Sequence, residues 1–81
     1  MTATVMLFAA ARDHAGAESI VLDLPDGATV ADLRREMLRR FPLLERLLRG
    51  SAIARNQEYA QDSDRINPTD ELAVIPPVSG G

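Results

Sequence analysis

The first part of the chain reads with the period of two that extended strands impose. Residues 3–9, Ala-Thr-Val-Met-Leu-Phe-Ala, set Val5 and Leu7 on one face and Met6 and Phe8 on the other, the pattern of a strand apolar on both sides and therefore central in its sheet. Residues 18–24 alternate cleanly, with Ile20, Leu22 and Leu24 on one side and Asp23 among those on the other, which predicts a half-exposed strand. Residues 10–17, AARDHAGA, read as the connection between them, closing at Gly16. The two strands are expected to pair as a hairpin.

The period then changes. Pro25-Asp26-Gly27 marks a turn, and Thr29 followed three residues later by Asp32 resembles a capping box ahead of a helix. Val30, Leu33, Met37 and Phe41 recur at helical spacing, with Arg34, Arg35, Glu36, Arg39 and Arg40 largely opposite, so one amphipathic helix is predicted to lie on the sheet. Pro42 interrupts it. Leu43 to Arg49 then form a second short helical segment, apolar through Leu44, Leu47 and Leu48, that ends at Gly50. Residues 52–56 read as a third strand, Asn56-Gln57-Glu58 as a turn into a brief strand around Tyr59 and Ala60, and residues 61–70 as a polar loop. Glu71 to Ile75 close the series as a strand apolar on both faces, Leu72 and Val74 against Ala73 and Ile75.

A hairpin, a helix crossing one face and then further strands is the α+β arrangement called the β-grasp, or ubiquitin-like fold. The expectation is a mixed sheet of about five strands, with one main helix and a second short helix on one face. The first and last strands lie parallel at its centre, residues 1–75 form the domain, and residues 76–81 form an extended tail. Because one helical layer covers one face, a patch including Phe8 and Ile75 is expected to stay open beside the tail, as a partner surface. The alternative is that segment 43–49 covers it.

Composition narrows the chemistry. The net charge is −3 and the isoelectric point near 4.9, which argues against non-specific nucleic-acid binding. Cysteine is absent and His14 is the only histidine. Disulfides, thiolate metal sites and thiol nucleophiles are thereby excluded, and no metal is expected. The opening MTATVMLFAAARDHAG lacks a charged region ahead of its short apolar run, so neither a signal peptide nor a membrane span is expected, and a cytoplasmic location is the default expectation. Arg12, Asp13 and His14 share one connection, but neighbouring side chains on an extended chain point apart; a solvated loop with Arg12 against a partner is the better reading. From Arg34 to Arg49 six arginines stand against two glutamates, a local charge of +4. Glu36 with Arg40 and Glu45 with Arg49 have helix-stabilising spacing, so this is read as a solvated face. All nine basic residues are arginine.

The last six residues, Pro76-Pro77-Val78-Ser79-Gly80-Gly81, carry the sharpest signal. Two prolines stiffen the exit and two glycines thin the end, which suits a tail threaded through a narrow slot with the Gly81 carboxyl carbon as its reactive atom. A chance Gly-Gly ending occurs in roughly one chain in two hundred, and the competing reading is a frayed end. No glycine-rich phosphate loop or nucleophile elbow is present.

With these features in place the chain resembles the small, sulfur-carrier subunit of molybdopterin synthase over nearly its whole length. The resemblance rests on Leu7-Phe8-Ala9 with Arg12 and Gly16, on Arg55-Asn56-Gln57-Glu58-Tyr59 as the family's asparagine turn, and on the run from Asp70 to Gly81 with its Pro-Pro-Val-Ser-Gly-Gly ending. Asn67-Pro68-Thr69-Asp70 replaces a Gly-Asp turn, and Ile75 stands where a phenylalanine can occur. The resemblance implies that the chain is no enzyme in its own right. An adenylyltransferase related to ubiquitin-activating enzymes would use ATP and magnesium to adenylate Gly81. A persulfide donor would then convert the acyl-adenylate to a thiocarboxylate. The large synthase subunit would dock at Phe8, Arg12 and Ile75, receive residues 76–80, and pass the sulfur to cyclic pyranopterin monophosphate.

Two other classes stay open on these residues. One is a related ubiquitin-like protein, either a thiamine-pathway sulfur carrier or a lysine-conjugated modifier. The other is a β-grasp interaction module in which the terminal glycines carry no chemistry.

Overall fold

The computed structural model describes residues 1–77. Five strands and three helices are present there: β1 (Thr2–Leu7), α1 (Ala9–Ala15), β2 (Ser19–Asp23), α2 (Val30–Arg40), α3 (Glu45–Gly50), β3 (Ala52–Arg55), β4 (Glu58–Ala60) and β5 (Leu72–Ile75), with a 3₁₀ turn at Pro42–Leu44 before α3. The sheet order is β2-β1-β5-β3-β4. β1 pairs antiparallel with β2 and parallel with β5, while β3 is antiparallel to both β5 and β4. The expected β-grasp layout, with the first and last strands parallel at the centre, is the one observed.

Alternation along the strands decides what the core contains. Ala3, Val5 and Leu7 of β1, Ile20 and Leu22 of β2, Ile53 of β3, and Leu72 and Val74 of β5 are buried on one face of the sheet. Val30, Leu33 and Met37 of α2, Leu44 of the 3₁₀ turn and Leu48 of α3 cover that face. α2 starts where the sequence signals it. Thr29 accepts from the Asp32 N–H and Asp32 from the Thr29 N–H, so the capping box is closed in both directions and satisfies donors that the first helical turn leaves unpaired.

Three expectations need correction. The connection read at residues 10–17 is mostly a helix, α1, which spans Ala9–Ala15. Three alanines, the strongest helix formers, open it, and Gly16, at φ 70°, closes it by donating its N–H to the Arg12 carbonyl at 2.9 Å. The first strand accordingly stops at Leu7, and Ala9 turns the chain at φ 50°, a left-handed conformation that costs roughly 1–2 kcal/mol for a residue with a Cβ. Second, Glu36 pairs with Arg39 and not with Arg40; Arg40 instead donates to the Val21 carbonyl at 3.0 Å. Third, Arg34 is no member of a solvated face. Its Nη1 donates to the Leu48 carbonyl at 2.8 Å, its Nη2 to the Ser51 carbonyl at 2.9 Å, and its Nε to Asp62 Oδ1 at 3.0 Å, so one guanidinium ties α2 to the end of α3 and to the loop after β4. The Glu45–Arg49 pair is present as expected.

The polar loop 61–70 also has an apolar anchor. Ile66 is buried and donates its N–H to the Ala28 carbonyl at 2.8 Å, while Val30 and Ala31 donate to the carbonyls of Asp64 and Asp62. Among the described residues no helix is long and apolar enough to cross a membrane, and no cluster of His, Cys, Asp or Glu could hold a metal ion.

Candidate functional site

The helices lie on one face of the sheet, and the residues of opposite parity form the other. The parallel register sets Met6 beside Ala73, and the antiparallel registers set Ala73 beside Ala54 and Ala54 beside Tyr59. Two alanines thus form a flat floor in the middle of the sheet. Met6, Phe8, Tyr59 and Ile75 stand around it, enclosing with Thr4, Gln57, Asp70 and Glu71 an open groove of about 650 Å³. Met6 is 43%, Phe8 45% and Tyr59 78% exposed. Contiguous apolar surface of this kind on a small domain is characteristic of a protein interface. The segment 43–49 does not cover it, because Leu44 and Leu48 are buried against the helical side of the core.

One end of the groove is built by a polar knot. Asn56 and Gln57, at φ 54° and 70°, make the two-residue turn that joins β3 to β4. Asn56 Nδ2 donates to Asp70 Oδ1 and its Oδ1 accepts from the Glu71 N–H, both at 2.9 Å; Asp70 Oδ2 accepts from the Asn67 N–H at 2.8 Å. Arg55 Nη1 lies 3.7 Å from the same carboxylate, whose side chain is 6% exposed. Burial pushes the Asp70 carboxyl upward, but the donors from Asn67 and Asn56 and the charge of Arg55 outweigh it and hold the group below the usual carboxylate range. The knot locks the start of β5 to the β3–β4 turn, and so fixes where Ala73 and Ile75 stand.

The predicted site residues divide as follows. Phe8 and Ile75 come together on the groove. Arg12 sits on α1, half exposed and 3.9 Å from Asp13, and does not line it. Pro76 is half-buried and Pro77 exposed just past β5. Val78, Ser79, Gly80 and Gly81 lie outside the described residues. Tyr59 and the Ala54–Ala73 floor were not singled out from the sequence. Their membership follows from strand neighbours, and parity along β3 and β4 becomes informative only once the sheet order is known. Gly50, read only as a helix stop, lies against Pro77.

Comparison with known proteins agrees with this arrangement. The ThiS family model matches residues 5–81. A protein named molybdopterin synthase sulfur carrier subunit from Dictyostelium discoideum is 44% identical over 80 residues, covering 95% of this chain and 93% of its own. One of the same name from Arabidopsis thaliana is 42% identical over 77 residues, covering 95% and 80%. Among solved structures, small archaeal modifier protein 1 from Haloferax volcanii superposes over 100% of both chains with a TM-score of 0.88 at 31% identity. By the family model and by this near-complete similarity, the chain belongs to the ThiS family of ubiquitin-like β-grasp proteins.

Proposed function

We propose that the chain is a sulfur carrier in molybdenum cofactor synthesis, the small subunit of molybdopterin synthase. The observation that carries this reading is the near-full-length identity to relatives that bear that name. The open groove at Phe8 and Ile75 supports it, since a carrier must be gripped by partners that perform the chemistry.

The chemical role falls on Gly81. A carboxylate is a poor electrophile, so an ATP- and magnesium-dependent adenylyltransferase makes it an acyl-adenylate with release of pyrophosphate. The terminal sulfur of a persulfide donor displaces AMP to give an acyl persulfide, and attack of a thiol on its S–S bond leaves a disulfide and releases the thiocarboxylate. That group is ionised at neutral pH, and its soft sulfur is a competent nucleophile for the same reason that thiolates are. The large subunit docks on the open face, takes in residues 76–81, and supplies the catalytic groups that move sulfur to the pterin. A second reading, a modifier joined to lysines of other proteins, is favoured by the superposition on small archaeal modifier protein 1.

Intact-mass measurement separates these readings. The protein is incubated with ATP, magnesium, its activating enzyme and a sulfur donor. Exchange of one oxygen for sulfur, located at Gly81, is the expected result. Adducts on lysines of other proteins would establish the modifier, and an unchanged mass would overturn the carrier reading.

A further inference from the structure

The β3–β5 register runs Arg55↔Leu72, Ala54↔Ala73, Ile53↔Val74, Ala52↔Ile75. Continued by two residues it sets Gly50 opposite Pro77. The hydrogen-bonded ladder cannot hold the chain there, because Pro76 and Pro77 have no N–H to donate. Packing must therefore set the direction of the tail. A Cβ built on Gly50 would stand 3.4 Å from Pro77 Cγ and 3.9 Å from Pro77 Cδ, and among the described residues no other atom outside its immediate surroundings comes within 4 Å. The Pro77 ring thus lies on the bare backbone of the last residue of α3.

That backbone is braced on both sides. The carbonyls of Leu48 and Ser51, which flank Arg49 and Gly50, both accept from Arg34, and Asp62 holds the guanidinium in place. Ser51 Oγ also donates to the Leu47 carbonyl at 2.6 Å. We propose that Gly50 is a positioning residue, a fixed seat for Pro77 that aims the tail as it leaves the domain. The proposal rests on the reading above that the tail is presented to partner enzymes. Alanine at position 50 would make ordinary contact with the ring. Valine would carry its methyl groups one bond further, against the ring.

Two measurements test it. In the full chain, a nuclear Overhauser contact between the Gly50 α-protons and the Pro77 ring protons is expected; its absence overturns the seat whatever the protein's function. The second is ATP–pyrophosphate exchange with the cognate activating enzyme for the wild type, Gly50→Val, Pro77→Ala and the double variant. Gly50→Val is expected to lower kcat on the order of tenfold or more, since small misplacements of a reacting group are costly. KM, set by docking of the body, should stay nearly unchanged, as should the unfolding midpoint. In the Pro77→Ala background Gly50→Val should cost nothing further, a coupling that a merely structural glycine would not show. A normal kcat for Gly50→Val, or an equal loss in both backgrounds, overturns the proposal. Absence of exchange with the wild type would instead count against the carrier reading and leave the proton contact to decide the seat.

Discussion

Asp70 sits in a loop that looks solvated, yet its side chain is almost wholly shielded and receives Asn56, the Asn67 N–H and Arg55. Replacing it with asparagine keeps the volume but removes the charge and one acceptor, so Asp70→Asn should destabilise the fold by roughly 1–3 kcal/mol at neutral pH, measured by urea unfolding. The sign of the pH dependence follows from the depressed carboxyl. A group whose folded pKa lies below its unfolded value contributes stability that is complete above the unfolded value and is lost as pH falls through the folded one. Asp32, held low by the Thr29 N–H, and Glu36, held low by Arg39, act in the same direction. Stability is therefore expected to be level from neutral pH down to about 5 and to fall below about 4, the ordinary carboxylate range. The fall should be shallower in Asp70→Asn; matching pH profiles would show that the knot contributes nothing. Arg34 is a second residue whose role was hidden. Its position in a charged run reads as solvent-facing, and only the fold brings two carbonyls and Asp62 within its reach.

At the scale of elements, legibility followed the number of independent local signals. α2 combines apolar period, a capping box and a proline stop, and its start, buried face and end agree with the prediction. Thr29→Ala should cost about 0.5–2 kcal/mol, as removal of N-cap hydroxyls does, read from the denaturant midpoint; no change would mean that packing alone holds the helix start. α1 lacked such signals. It is seven residues long with no side-chain cap and buries only Ala11, so no apolar stripe betrays it, and the polar trio Arg12-Asp13-His14 suggested a loop. The strands were legible because burial on alternate faces leaves a period of two. Their ends shifted by a residue or two where turn geometry at Ala9 and Asn56 took over.

For the whole molecule, one sheet serves two tasks. Its helical side holds the core, and its bare side gathers Met6, Phe8, Tyr59 and Ile75 over a floor of alanine. That division was readable for β1 and β5, whose two apolar faces exceed what one helical layer can cover. The contributions of Tyr59 and Gly50 were not, because they depend on which strands become neighbours. The body is thus a stable handle, and the proposed chemistry is confined to the end beyond Pro77. The most direct test is sulfur transfer to the pterin by a chain lacking Gly81, with its thermal unfolding recorded alongside. The account predicts an unchanged unfolding midpoint and no sulfur delivered; delivery at the wild-type level by that shortened, folded chain would contradict it.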